Sequence, residues 1–123
     1  MEIDRPDVVA EVAALFEDYE RALVENDVER ILGFFAAGAV RFGIADQQAG
    51  LPEQRRWRLA QPALPPGRFL KDTTILSYGD SVAVVTTSFG YPGDGALGRQ
   101  SQTWVRLPEG WRIVTAHVSL PAA

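Results

Sequence analysis

The sequence predicts an α+β fold, with helices gathered in the first half and a sheet of long antiparallel strands in the second. Three observations predict it. Apolar residues recur at helical spacing near the start of the chain. From Arg68 onward they fall in strand-like runs separated by Gly- and Pro-containing turns. The length, 123 residues, is that of one compact domain, and no linker, repeat or low-complexity stretch divides it. Residues 1–123 are therefore expected to form a single domain.

Val8, Val12, Leu15, Phe16, Tyr19 and Leu23 make one helical stripe, with Glu11, Glu17, Asp18, Glu20 and Arg21 between them as a solvated face. This predicts a first helix over residues 6–25, with Pro6 in the first turn, where a missing N–H costs nothing. Asn26, with Glu29 three residues on, reads as the N-cap of a short second helix. That helix would bury Val28, Ile31, Leu32 and Phe35 and be weakened and ended by Gly33 and Gly38. AVRFGI, residues 39–44, predicts a short strand with Arg41 at its middle, followed by the polar loop ADQQAGLPEQ. A short basic helix starts at Pro52 and closes at Pro62. ALPPGR is an irregular connector.

The rest reads as strand. RFLKDTTILSY and SVAVVTTSFGY flank Gly79-Asp80, a two-residue hairpin signal, and YPGDGALG is a longer loop. The last hairpin turns at Pro108-Glu109-Gly110. Pairing Leu107 with Trp111 sets Thr103 opposite Thr115, Ser101 opposite His117 and Arg99 opposite Ser119. The end of the face holding Arg99, Ser101, His117 and Ser119 is read as the polar floor of a pocket. Ser101 and His117 also fit a plain cross-strand hydrogen-bonded pair, worth about 0.2–1 kcal/mol.

Composition narrows the function. A hydrophobic fraction of 46%, with six Phe, three Trp and three Tyr, builds a core. A net charge of −4 argues against a nucleic-acid-binding face, yet a local arginine cluster still suits a small anionic ligand. There is no cysteine, so disulfides, zinc–thiolate sites and thiol nucleophiles are excluded. One histidine excludes a multi-histidine metal site; no phosphate-loop, dinucleotide or carboxylate-metal motif is present, and no cofactor is expected. The start, MEIDRPDVV, lacks the pattern of a secretory leader, and no apolar run reaches membrane-spanning length. A cytoplasmic protein without membrane partners is the expectation.

GRQSQTWVRLPEGWRIVTAHVSL, together with NDVERILGFF and VRFG upstream, resembles the AtzH-like family of the SnoaL-like, nuclear-transport-factor-like superfamily. The resemblance covers nearly the whole chain. It implies a cone-shaped, curved, mixed or antiparallel β-sheet wrapped around N-terminal helices, a cystatin-like roll. It also implies an enzyme of nitrogen catabolism that removes a carboxyl group from a carboxyurea, such as 1,3-dicarboxyurea going to allophanate. The implied catalytic pair is a tyrosine of the first helix, matched by Tyr19, and an arginine of the first strand, matched by Arg41. The family continues after that strand with a glutamate, an aromatic residue and a glycine. IADQQAG stands there instead, with Asp46 the nearest acid. The family's third helix reads Phe-Arg-x-x-Arg; Trp57, Arg58 and Gln61 hold those places, so the second arginine is missing. A homodimer through the outer face of the sheet is implied as well, and Trp104, Val114, Ala116 and Val118 are expected to form it.

Each named residue has a plain role beside the functional one. Tyr19 either packs in the core or donates a hydrogen bond to charge developing on a urea oxygen or leaving nitrogen. Arg41 either meets solvent or holds a carboxylate with its planar fork. Arg58, Trp57, Arg99, Ser101 and His117 are the expected substrate-binding set, with Arg58 and Arg99 placed to bind a second charge. Two other readings remain open: a non-catalytic ligand-binding or amidase-partner domain, and an isomerase or dehydratase using Asp46 or His117 as base.

Overall fold

The computed structural model describes residues 1–122. α1 (Pro6–Glu25) is followed by α2 (Val28–Leu32), β1 (Phe35–Phe42), β2 (Gln47–Ala49) and α3 (Leu51–Ala60). Four long strands complete the chain: β3 (Phe69–Tyr78), β4 (Val82–Gly90), β5 (Gly98–Leu107) and β6 (Gly110–Ser119). They form one six-stranded sheet in the order β2-β1-β6-β5-β4-β3. Only β1 and β6 run parallel, which lets the early strand return beside the last one; the other pairs are antiparallel. The predicted α+β class holds.

α1 buries the expected stripe: Val8, Val12, Phe16, Tyr19 and Ala22 sit in the core with Ile31, Phe35, Val85, Trp104 and Ile113. Each large side chain removed from water there contributes about 1.5–3 kcal/mol. Asn26 does not cap α2. It ends α1 in the left-handed conformation, φ 54°, where its N–H reaches the Ala22 and Leu23 carbonyls. Asp27 is the N-cap instead, its side chain accepting from the Arg30 N–H at 3.3 Å. α2 then stops at Leu32, and β1 begins four residues earlier than the sequence suggests, so Phe35 and Gly38 belong to a strand. Part of the expected polar loop is β2.

The hairpin turns differ by single residues. Three residues, Gly79 to Ser81, separate the paired Tyr78 and Val82. In the last hairpin Leu107 pairs with Gly110, not Trp111, leaving a tighter turn. A bulge at Val114, between the Thr103–Thr115 and Trp104–Ile113 pairs, adds the residue back. The two offsets cancel, so Thr103–Thr115, Ser101–His117 and Arg99–Ser119 pair as expected.

The faces of that hairpin are opposite to the expectation. Gln100, Gln102, Trp104 and Ala116 point into the core. Arg99, Thr115 and His117 are exposed on the outer face, with Ser101 and Thr103 partly so. The physical reason is Trp104, fully buried and packed edge-to-face on Phe34 with ring centroids 6.3 Å apart. Trp104 and Ala116 are thus core residues and Val118 lines a cavity, so three of the four residues expected at a dimer interface lie on the wrong side of the sheet, and Val114 is the bulge residue.

Candidate functional site

A cavity of about 400 Å³ opens between the helices and the inner face of the sheet. Tyr19, Arg41, Trp57, Arg58, Arg68 and Gln100 are among the side chains lining it. Tyr19, Arg41, Trp57 and Arg58 are therefore brought together as expected. Arg99, Ser101 and His117 are not; they line a shallow groove on the opposite face of the sheet with Asp72 and Thr86. His117 cannot act as a base in the cavity, and its ring meets Phe42 edge-on at 6.0 Å.

Alternation along β1 places Arg41. Val40 and Phe42 face outward and are exposed, while Arg41 is buried between Gln48 on β2 and Ala116 on β6. Its Nη1 donates to Asp46 Oδ1 at 2.7 Å and to Gln48 Oε1 at 3.0 Å. Gln48 Nε2 in turn donates to Asp46 Oδ1 at 2.8 Å. The guanidinium carbon lies 4.3 Å from the centre of the Trp57 ring, close enough for cation–π attraction. Burial pushes the Asp46 carboxyl up, but the hydrogen bonds from Gln48 and Arg41 and the Arg41 charge outweigh it and hold its pKa below the ordinary aspartate value.

α3 delivers Arg58 and Trp57. Arg58 Nε donates to Gln54 Oε1 one turn earlier, at 2.7 Å, and both side chains are buried. Arg58 has no carboxylate within ion-pair distance among the described residues, unlike the other two arginines of the cavity. Burial lowers its pKa from the ordinary arginine value; Tyr19 and Asp46 favour the charged form and Arg41 opposes it. Gln54 Nε2 is buried without a hydrogen-bond partner.

The sequence reading missed a second cluster at the same cavity. Arg68, just before β3, donates from Nε to Glu20 Oε1 at 2.9 Å. It also donates from Nη2 to Gln100 Oε1 at 3.1 Å and from Nη1 to the Tyr91 hydroxyl at 3.2 Å. Gln100 Nε2 donates to Glu20 Oε2 at 3.1 Å, closing the network, and the Phe89 ring lies 4.4 Å from the Arg68 guanidinium carbon. Burial pushes Arg68 down, but Glu20 and Tyr91 more than offset it, so its pKa is raised. Glu20 carried a readable signal. It continues the i, i+4 row of Val8, Val12 and Phe16, an inward position that a solvated glutamate would not occupy.

Tyr19 rests on Phe16, Phe34 and Phe35, with ring centroids 5.9–6.2 Å away. Tyr19 lines the cavity beside Arg58, and its hydroxyl favours the charged form of that guanidinium. The site thus offers two phenols, Tyr19 and Tyr91, one guanidinium without a carboxylate partner and two with one. Among the described residues, no group of three or more His, Asp or Glu side chains is placed to hold a metal ion. No helix among them is long and apolar enough to cross a membrane.

Solved structures share this architecture. A DUF3225-family protein of unknown function from Pectobacterium atrosepticum is 44% identical, with 98% of this chain and 95% of that one covered and a TM-score of 0.93. A cystatin-like fold protein from Burkholderia xenovorans is 46% identical over 100% of this chain and 98% of that one, also at a TM-score of 0.93. An NTF2-like protein of unknown function from Pseudomonas putida, 19% identical over 97% and 90% of the two chains, shares the fold at a TM-score of 0.83. No curated protein matches the chain significantly. The sequence model of the AtzH-like family matches residues 1–123. With the predicted arrangement of helices on a curved sheet in place, the chain belongs to the AtzH-like family.

Proposed function

We propose that this protein is an enzyme of nitrogen catabolism that removes a carboxyl group from a small carboxylated urea or amide, of the 1,3-dicarboxyurea type. The observation that carries the reading is Arg58: a buried guanidinium, without a carboxylate partner, on the wall of the cavity beside Tyr19 and Arg41. A buried charge is costly unless paired. A ligand carboxylate supplies the missing partner, with charge-assisted hydrogen bonds to the guanidinium fork.

In this reading Arg58 anchors one carboxylate and Arg41 holds the other with its planar fork. The bond between the carboxyl carbon and the urea nitrogen breaks, its electron pair moves to the nitrogen, and carbon dioxide leaves. Tyr19 donates the proton that the nitrogen takes up and is reprotonated from water. A tyrosine hydroxyl carries the proton that this acid role requires.

The test is incubation with 1,3-dicarboxyurea while carbon dioxide and allophanate are followed. Turnover above the uncatalysed rate is expected, and Tyr19→Phe and Arg41→Ala should each lower it by about 10²–10⁴-fold. No turnover, or turnover that both variants leave intact, rejects the reading. The proposal also includes a homodimer through the outer face of the sheet. What supports it is the apolar pair Val40 and Phe42, 38% and 46% exposed on that face, rather than the residues expected from the sequence.

A further inference from the structure

The charges around the cavity do not match a ligand with two carboxylates. Arg68 is neutralised by Glu20 and Arg41 by Asp46, so only Arg58 has a charge to offer. Three carboxylates stand at or beside the cavity: Asp94 lines it from an exposed loop, and Glu20 is locked by Arg68 and Gln100 with its side chain 11% exposed. Asp46 is held more loosely. All its side-chain hydrogen bonds fall on Oδ1, and its side chain is 24% exposed, in the short bend that follows β1.

Its seat is specific. The Gly43 N–H donates to the Asp46 carbonyl at 2.8 Å, folding the bend back on itself. The Asp46 carboxylate then lies directly against Gly43, and a methyl group there would overlap both of its oxygens. Gly43 has no positive φ, so its missing side chain makes room for the carboxylate rather than for an unusual backbone.

We infer that Asp46 is an internal carboxylate that holds Arg41 Nη1 and competes with a ligand's second carboxylate for the Arg41 charge, and that Asp46 thereby determines which ligand charge the site accepts. This rests on the proposal that the cavity holds carboxylates. In the resting protein a ligand with one carboxylate binds Arg58 alone. A second carboxylate gains the full Arg41 charge only when Asp46 swings out toward solvent. Asp46 is a specificity-determining residue and not a catalytic one.

Two variants perturb the pair in different ways. Asp46→Asn removes the charge and keeps the shape; Gly43→Ala keeps the charge and removes the seat. Calorimetric titration uses two probes matched in length, glutarate with two carboxylates and glutaramate with one. The wild-type protein should bind glutarate no more tightly than glutaramate. Both variants should bind glutarate about tenfold more tightly, the value of roughly one charge-assisted hydrogen bond, with glutaramate within about twofold. Unchanged or weaker glutarate binding in both variants overturns the inference, as does equal tightening of the two probes. If the wild-type protein binds neither probe, the anion-binding cavity itself is rejected.

Discussion

Removing one member of the Glu20–Arg68 pair should be far more damaging than removing both. The two side chains are 11% and 5% exposed, so neither charge can recover water where it sits. Arg68→Met leaves Glu20 buried with only Gln100 to donate to it. Stranding one partner of a buried pair costs about 3–5 kcal/mol, whereas replacing both by well-packed residues is close to neutral. Unfolding entropy of about 2.1 cal/mol/K per residue gives about 0.26 kcal/mol/K for 123 residues. The single variant should therefore lose about 12–19 °C in Tm, and Glu20→Leu with Arg68→Met should regain most of it. Arg21→Ala supplies the control, because its partner Asp18 is half exposed and such pairs are worth less than about 1 kcal/mol. Thermal and urea unfolding of the two singles and the double complete the cycle. A loss below about 1 kcal/mol for Arg68→Met, or a double no more stable than the single, would show that the pair is not desolvated as described.

Three further outcomes are expected. Arg58→Met should weaken binding of small monocarboxylates by about 10–100-fold, as read by calorimetry, because no other arginine of the cavity is without a carboxylate. The folded-state pKa of Asp46 lies below the ordinary aspartate value, so it stabilises the fold above about pH 3.8 and that contribution disappears as the pH falls through the lower folded value. Asp46→Asn should then flatten the acid limb of the urea-midpoint profile and leave its slope above pH 5 unchanged. Phe42→Glu should convert a sedimenting dimer at micromolar concentration to monomer without lowering secondary-structure content, since the side chain is 46% exposed on the outer sheet face. A wild-type protein that sediments as monomer removes the dimer proposal.

What could be read from the residues follows the strength of local signals. α1 runs over the predicted span because its stripe is long and Pro6 marks its start. The strand pairings of the last hairpin survive a wrong turn because the Val114 bulge, which no local residue type announces, restores the count. The start of β1 was hidden because Phe35 continues the helical spacing of Ile31, and only pairing with β6 makes it a strand. Tyr19, Arg41, Trp57 and Arg58 converge because two sequence-distant helices and the first strand meet at one cavity, a fact carried by the resemblance and not by any local pattern. Arg68 and Tyr91 stand in irregular segments, where the residues give no face to reason from.

The inverted faces of β5 and β6 point to a more general reading of such sheets. Alternation puts Gln100 and Gln102 on the same face as Trp104, the face expected to be the dimer interface. Inside the fold each of these amides is satisfied by a specific partner: Gln102 accepts from Trp104 Nε1 at 3.0 Å, and Gln100 joins Glu20 and Arg68. An amide at an inward position is therefore compatible with burial when a partner is fixed beside it, and a tryptophan two residues away is the stronger guide to the interior. The same accounting, run over the whole cavity, closes around Arg41, Asp46 and Gln48 and around Arg68, Glu20 and Gln100, but not around Arg58 and Gln54. Burial penalises an unpaired cation and an orphaned amide whatever their role. Of the two, only Arg58 lines the cavity, and a buried cation there without a carboxylate partner is the strongest physical reason to expect that an anion completes the site.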